Sequence, residues 1–376
     1  MPLQEPMSRR TLLKGMAAGG AGVLASSLIG SFMEAGAAPS RHARIHDRQS
    51  GAGSKTLVVR DSGGAYEAAN RKHLYDPFTR ETGIDIQTVN LDFDAMLAQL
   101  KTGSPQFTTA DTSMVDYLIF HKTYNLMEEL DYDKLPNIKH GGIAKNLVLP
   151  YAVGKNYWAS TMAYRSDVFK KDPPKNWEDF WNTKKWPGKR SLQSATATYP
   201  ELEFYLLADG VTMHHLYPLD VERAFKSADR IRTDILKWWT TGSLPPLLLS
   251  RKEVVMSSIW NGRALTPIKQ GVPIALQWWG ARRQSNGFGI FKGARNVEGA
   301  YKFLNFAYRP EVQAALAVAI PYSPVVPKAN KLIPKHVLGL LPTAPKYFDV
   351  GFDLDNTWWL KHGTAMTKRW TTWAAA

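Results

Sequence analysis

The chain has 376 residues, with 47 Lys and Arg against 33 Asp and Glu, nine His and no Cys; 44% of residues are apolar and 21% charged. That balance describes a globular chain long enough for two lobes with separate cores, and the body holds no apolar run of about twenty residues that would make it an integral membrane protein. Without Cys there is no disulfide, no Cys-ligated zinc or iron-sulfur cluster and no thiol nucleophile.

Taken from its start, the chain carries Ser8-Arg9-Arg10-Thr11-Leu12-Leu13-Lys14 before an Ala/Gly-rich, weakly apolar stretch from Met16 to Phe32. This order resembles a bacterial twin-arginine export signal: a cationic start stays on the cytoplasmic side while a short apolar segment enters the membrane. Ala35-Gly36-Ala37 offers a cleavage site. Residues 1–37 are therefore expected to be a signal peptide and 38–55 a flexible leader. Losing residues 1–37 removes Arg9, Arg10, Lys14, Glu5 and Glu34, leaving 44 basic against 31 acidic side chains, so the charge of +14 falls only to +13. Lys and Arg are scattered among Asp and Glu without a basic run, so the charge reads as a bulk surface property and not as a nucleic-acid site.

Thr56 to Arg60 predicts a strand that stops at Asp61-Ser62-Gly63-Gly64, after which a helix begins near Tyr66. Asp76 with Pro77 predicts a fresh helix start, Gly83 its end, and Ile84 to Val89 a second strand. Phe93, Met96, Leu97 and Leu100 repeat at helical spacing. Alternating strands and helices imply a mostly parallel sheet covered on both faces. Leu147 to Met162 reads as a long strand passing into a second lobe. Helical patterns follow at Glu201 to Ala208 and Val221 to Trp239, strands at Val254 to Trp260 and Pro273 to Trp279, and helices at Val297 to Tyr308 and Pro310 to Val318. Trp358, Trp359, Trp370 and Trp373 predict a helical tail docked on the body.

Several turns and caps occur in a specific order: Asp61-Ser62-Gly63-Gly64, Thr82-Gly83, Pro174 with Trp177, Trp186-Pro187-Gly188-Lys189, Leu207-Ala208-Asp209-Gly210, Trp260-Asn261-Gly262-Arg263, Lys292 to Asn296, and Arg309-Pro310-Glu311. From Thr56 to Lys328 this resembles the spermidine/putrescine-type solute-binding proteins of bacterial ABC importers. The resemblance implies a two-lobed α/β periplasmic-binding-protein fold of type II, each lobe a mostly parallel sheet flanked by helices, with a ligand cleft between them. Lobe one is expected at 56–155 and 271–376, the latter including the helical tail, and lobe two at 156–270. It implies a monomeric periplasmic receptor that captures a small solute, a polyamine-type amine first or else an anionic or zwitterionic one, and hands it to an inner-membrane permease. It implies no catalysis, cofactor or metal.

Ligands bind at the carboxyl ends of parallel strands, which singles out Asp61, Ser62 and Gly63, then Ser113 within Asp111 to Met114, then Trp260 and Asn261. The Ser-Gly-Gly turn lets backbone approach a ligand closely, but a plain strand-to-helix junction needs glycine too. Trp260 resembles a family position whose ring packs on the ligand, and an indole face suits an ammonium or an aliphatic chain. Asn286 falls where polyamine-binding members carry a carboxylate, Gly64 where many have an acid, and Ser62 where they have an aromatic ring. A buried diamine needs carboxylates, which leaves Asp61 and Glu201 as its candidates. Arg282-Arg283 reads as a solvated loop pair, with an anion site as the alternative.

Enzyme chemistry finds no residues. His214-His215 lacks a nearby acid to complete a metal site. Ser62 lacks the flanking glycines of a nucleophile elbow, and no Gly-x-x-x-x-Gly-Lys loop occurs.

Overall fold

The computed structural model describes residues 55–197 and 199–376. The expected export signal and the leader up to residue 54 lie outside the described residues.

Strand Thr56–Arg60 alternates inward and outward, so Leu57 and Val59 are fully buried. It lies parallel between Asp85–Val89 and Thr109–Ala110, forming the sheet of the first lobe. The helix after Gly63 does not restart at Asp76. It runs from Gly64 to Thr82 through a π turn at Arg71–Tyr75. That wider turn carries the helix into Pro77, which lacks the N–H of an ordinary helical turn. Gly83, at φ 69°, then closes it in the left-handed conformation. Asp92 caps the next helix, Phe93–Lys101, accepting from Ala95 N at 2.8 Å, and the helix buries Met96, Leu97 and Leu100.

Two long antiparallel strands, Ala152–Arg165 and Ile274–Gly289, cross from one lobe to the other. At one end Gly289 pairs Ala152, beside the core of Leu57, Phe78, Phe288 and Phe303; at the other Ile274 pairs Arg165, beside the core of Leu249 and Ile259. Between Gln277↔Met162 and Arg282↔Ser160 residues 278–281 bulge out of the second crossing strand. Gly280, at φ 70°, accepts there from Trp177 Nε1 at 3.0 Å, and a Cβ on it would stand 2.8 Å from that indole. The second strand thus continues well past Trp279, and Arg282, Arg283 and Asn286 lie in it and not in a loop.

In the second lobe Met256–Trp260 pairs antiparallel with the first crossing strand, and Arg190–Gln193 and Ile235–Trp239 extend the sheet in parallel. The helix starting at Val221 stops at Ile231, so Ile235–Trp239 is strand and not the end of that helix. The result is a two-lobed α/β fold, a parallel set in each lobe joined through one antiparallel pair. The tail helix Asn356–Ala375 buries Trp359 and Trp370 in the core of Trp177, Phe204 and Tyr205, which also receives Val115 from a first-lobe helix. The tail is thus seated on second-lobe elements. No helix among the described residues is long and apolar enough to cross a membrane.

Candidate functional site

Where the crossing strands leave the first lobe, a buried polar network fixes the loop after the first strand. Asp61 is fully buried; its Oδ1 accepts from Gly63 N at 3.0 Å, and its Oδ2 from Asn70 Nδ2 at 2.8 Å and Tyr75 OH at 2.5 Å. Asp111, also fully buried, accepts through Oδ2 from Tyr66 OH at 3.0 Å and from the Lys155 ammonium, and through Oδ1 from Asn286 Nδ2 at 2.8 Å. Lys155 donates as well to Asn70 Oδ1 at 2.8 Å. Two carboxylates therefore share one buried ammonium. Burial, and after it the Asp111 carboxylate, push the Asp61 carboxyl above the usual range.

In front of this network stand aromatic rings. Tyr66 and Tyr322 lie 5.8 Å apart by centroid, and Trp158, from the first crossing strand, meets Trp260 edge-on at 5.5 Å. Trp158 Nε1 donates to Asn286 Oδ1 at 2.9 Å, which joins the rings to Asp111. Burial holds the Tyr322 phenol up to about 12, so it stays a neutral donor. Behind the tyrosines a small cavity is lined by Tyr66, Asn70, Lys155, Asn156, Gln313 and Tyr322, and the buried Asn156 Oδ1 has no partner.

The facing wall comes from the second lobe. Trp260 ends strand Met256–Trp260 and caps helix Asn261–Lys269, so Arg263 sits three residues on, over the same turn. The two converge on Gly242, where a Cβ would stand 2.5 Å from the Trp260 ring and 3.3 Å from Arg263 Nε. The lobes meet here. A Cβ on Gly64 of the first lobe would be 3.6 Å from Arg263 Nη1, and one on Gly262 would be 2.5 Å from the Tyr322 ring. Arg263 is half-buried and is the member of this wall whose charge makes no hydrogen bond or ion pair among the described residues. At the opposite edge of the indole, Trp260 Nε1 donates to Gln193 Oε1 at 3.1 Å.

Of the residues singled out from the sequence, Trp260 stands at the junction of the lobes; Gly63 is buried against Asn90, next to the Gly64 that approaches Arg263, and Ser62 receives Arg60 Nη1 on its hydroxyl at 3.1 Å. Gly63 adopts φ 73° and ψ −177°, open in practice to glycine. Asn286 holds Asp111 and Trp158. Ser113 caps helix Met114–Lys122, accepting from Val115 N at 3.1 Å, and pairs with Asn286 across the sheet. Asn261 is buried and clamps backbone, accepting from Ala159 N at 2.9 Å and donating to Pro321 O at 2.8 Å. Asp61 spends Oδ1 on its own turn and Oδ2 on Asn70 and Tyr75 of the following helix, and Glu201 is fully buried behind Gln193.

Arg282 and Arg283 correct the reading of a solvated pair. Arg282 Nη1 donates to Glu203 Oε2 at 2.7 Å in the second-lobe interior, and Arg283 Nε to Asp353 Oδ1 at 2.7 Å. His214 and His215 lie in a short 3₁₀ turn, and no group of His and acidic residues among the described residues is placed to hold a metal. Sequence reasoning missed Arg263, Trp158, Tyr322 and Gln193. For Arg263 the signal was present in its spacing from Trp260; for the others nothing local distinguished them.

Residues 73–337 match the family model of the bacterial extracellular solute-binding proteins. The gamma-aminobutyric acid-binding protein of Pseudomonas aeruginosa is 33% identical over 86% of this chain and 92% of its own. The spermidine/putrescine-binding periplasmic protein of Salmonella typhimurium is 25% identical over 70% of this chain and 77% of its own. Among solved structures, an ABC transporter substrate-binding protein from Bradyrhizobium japonicum superposes with a TM-score of 0.78 at 36% identity, covering 85% of this chain and 99% of that one. The Atu4243-GABA receptor gives 0.76 at 30%, covering 85% and 97%.

Proposed function

The chain belongs to the bacterial extracellular solute-binding proteins, and from that membership we propose that it is the periplasmic receptor of an ABC importer for a short zwitterionic amino acid of the γ-aminobutyrate type. The solute is gripped between the lobes and handed unchanged to an inner-membrane permease; the Arg9-Arg10 segment supports export of the receptor. We keep the first lobe boundary at Asn156 and move the second from 270/271 to Gln284, because Ile274 still packs in the second-lobe core with Leu249 and Ile259.

The observation that carries the solute class is the Arg263 guanidinium beside Trp260, unpaired among the described residues, whose wall presents no exposed carboxylate. A guanidinium binds a carboxylate with two parallel hydrogen bonds. A diamine, by contrast, would need acids that are absent or committed: position 286 is an amide, Asp61 is held by Gly63, Asn70 and Tyr75, and Glu201 lies behind Gln193. The ammonium of an amino acid finds the faces of Trp158, Trp260 and Tyr322 instead, with the negative network of Asp61 and Asp111 behind them. We assign Ser62 and Gly63 to the first-lobe side of the solute and Trp260 to the second. Asn286, Ser113 and Asn261 set the geometry of that wall.

Such a solute touches both lobes only when they are together, so binding shifts the population toward the closed form. Going from about 1% to 99% closed needs roughly 5.5 kcal/mol of differential affinity, within reach of one buried charge pair and several aromatic contacts. Calorimetric titration with γ-aminobutyrate, putrescine and spermidine tests the class. Binding of γ-aminobutyrate, with the two amines silent, is the expected result. Arg263→Gln should weaken it by roughly 30-fold or more, since breaking a buried charge pair costs about 2–5 kcal/mol. Tight putrescine binding unaffected by Arg263→Gln would overturn the assignment.

A further inference from the structure

Behind the cleft wall stands a carboxyl that the solute contacts do not use. Glu201 begins the helix Leu202–Leu207 and is fully buried. Its Oε2 accepts from Gln193 N at 3.0 Å, while Oε1 has no hydrogen-bond partner. Gln193, through its own Oε1, receives Trp260 Nε1 at 3.1 Å. Backbone and side chain of one residue thus join a buried carboxyl to the ring that faces the cleft.

The groups around Glu201 come from four elements. From the second crossing strand comes Arg282, whose Nη1 is committed to Glu203 Oε2 at 2.7 Å and whose Nε is left without a partner. From the helix of Glu201 itself come Glu203 and Tyr205, and Tyr217 bonds Glu203 at 2.5 Å. From the strand Met256–Trp260 comes Ser258, whose hydroxyl lies near the carboxyl and also accepts from Gln193 N at 3.1 Å. From the strand Arg190–Gln193 comes only the amide of Gln193. Two carboxyls therefore face one guanidinium, and the ion pair goes to Glu203. Glu201 keeps a bare oxygen in a dry site, which disfavours its charged form.

Resting on the reading of this cleft as the solute site, we propose that Glu201 is a proton-linked positioning residue: its charge state, passed through Gln193, sets the orientation of the Trp260 indole and makes capture of a zwitterion pH dependent. Burial pushes this carboxyl up to about 7, against the opposing pull of Arg282, Ser258 and the Gln193 amide, so the change falls near neutrality. Once ionised, it accepts more strongly from Gln193 N, holds the segment that anchors Trp260, and places negative charge near the ammonium end of the solute. An aliphatic amino acid keeps one carboxylate and one ammonium between about pH 6 and 8. The pH dependence therefore belongs to the protein, and affinity should rise with pH. By linkage, bound solute lowers the pH at which Glu201 ionises.

The test uses the ligand-free protein first. Nuclear magnetic resonance of ¹⁵N-labelled tryptophan indoles identifies the Trp260 signal as the one lost in Trp260→Phe. Its shift should titrate with a midpoint near neutrality in the wild type and stay flat in Glu201→Gln, a substitution that preserves shape. In Gln193→Met, where Glu201 remains but the link is cut, the titration should also vanish from Trp260. An indole that does not titrate, or that titrates unchanged in either variant, overturns the proposal. In a second arm, γ-aminobutyrate affinity should improve several-fold from pH 6 to pH 8 in the wild type and not in Glu201→Gln. If the indole titration follows Glu201 but γ-aminobutyrate binds at no pH, the solute reading fails and the proton link stands. If γ-aminobutyrate binds with the same pH profile in both proteins, the proton link fails and the solute reading stands.

Discussion

Replacing Lys155 by Met tests the buried network that holds the first-lobe side of the cleft. The residue is 1% exposed, and its ammonium is shared by Asp111, Asn70 Oδ1 at 2.8 Å and Tyr66 OH at 3.3 Å. Methionine fills a similar volume, so packing is largely kept and the loss is electrostatic. What remains is two carboxyls, Asp61 and Asp111, both fully buried and without a cation. Breaking a buried pair from one side costs about 3–5 kcal/mol, a large share of the 5–15 kcal/mol typical of a folded domain. At about 2 °C per kcal/mol for a chain of this size the melting temperature should fall by roughly 6–10 °C. The pH dependence carries the diagnosis. Without the ammonium, which draws the Asp61 carboxyl down, burial holds the Asp61 proton to higher pH than in the unfolded chain. The penalty is then small near about pH 3, below the ordinary aspartate value of about 3.9, and grows toward about pH 8. Melts of wild type and variant across that range should diverge steadily. Adding Asp111→Asn should restore at least half of the loss, because it removes the stranded charge. A variant within 1 kcal/mol of wild type at pH 8, or a double variant whose losses simply add, would refute the reasoning.

Other consequences follow from the same contacts. Glu203→Gln strands Arg282, and urea melts should show a loss of about 3–5 kcal/mol. Trp359→Phe keeps an aromatic ring but loses the pyrrole half of the indole with its donor to Glu203 at 2.7 Å, and the lost charged hydrogen bond alone should cost about 1.5–3 kcal/mol in the same assay, with the cavity adding to it. Glu201, with a folded value of about 7 against an ordinary 4.5, holds a proton that the unfolded chain has released. Its contribution is complete below pH 4.5 and is lost as pH rises through 7, a difference of about 3 kcal/mol. Melting temperature should accordingly decline over that interval and decline less in Glu201→Gln. Gly63→Ala forces a side chain onto φ 73°, ψ −177° and to within 2.6 Å of Asn90 Nδ2, which should destabilise by about 1–3 kcal/mol and weaken solute binding together.

Most of the regular elements could be read from local pattern. Strand Thr56–Arg60 alternates, helix Phe93–Lys101 repeats its apolar residues every third or fourth position, and Gly83 stops a helix as glycine should. Reading failed where the chain departs from a single period. Val221 to Trp239 contains no Gly or Pro, so nothing marked the change from helix to strand after Arg232–Asp234. The bulge at residues 278–281 hides the continuity of the second crossing strand, and the paired arginines beyond it look like loop residues. In fact each is buried against an acid 79 or 70 positions away. The candidate site was legible in part. Glycine and tryptophan at strand ends pointed to the cleft, but the partners of Asp61, and the 44-residue separation of Lys155 from Asp111, are properties of the fold alone.

The most direct trial of the account is a crystal structure of the protein purified with whatever solute it carries from its native source. The account predicts density for a short molecule against Trp158 and Trp260, with a carboxylate on the Arg263 guanidinium and an amine turned toward the aromatic rings. A diamine in the cleft, or a solute seated away from Arg263, would contradict it.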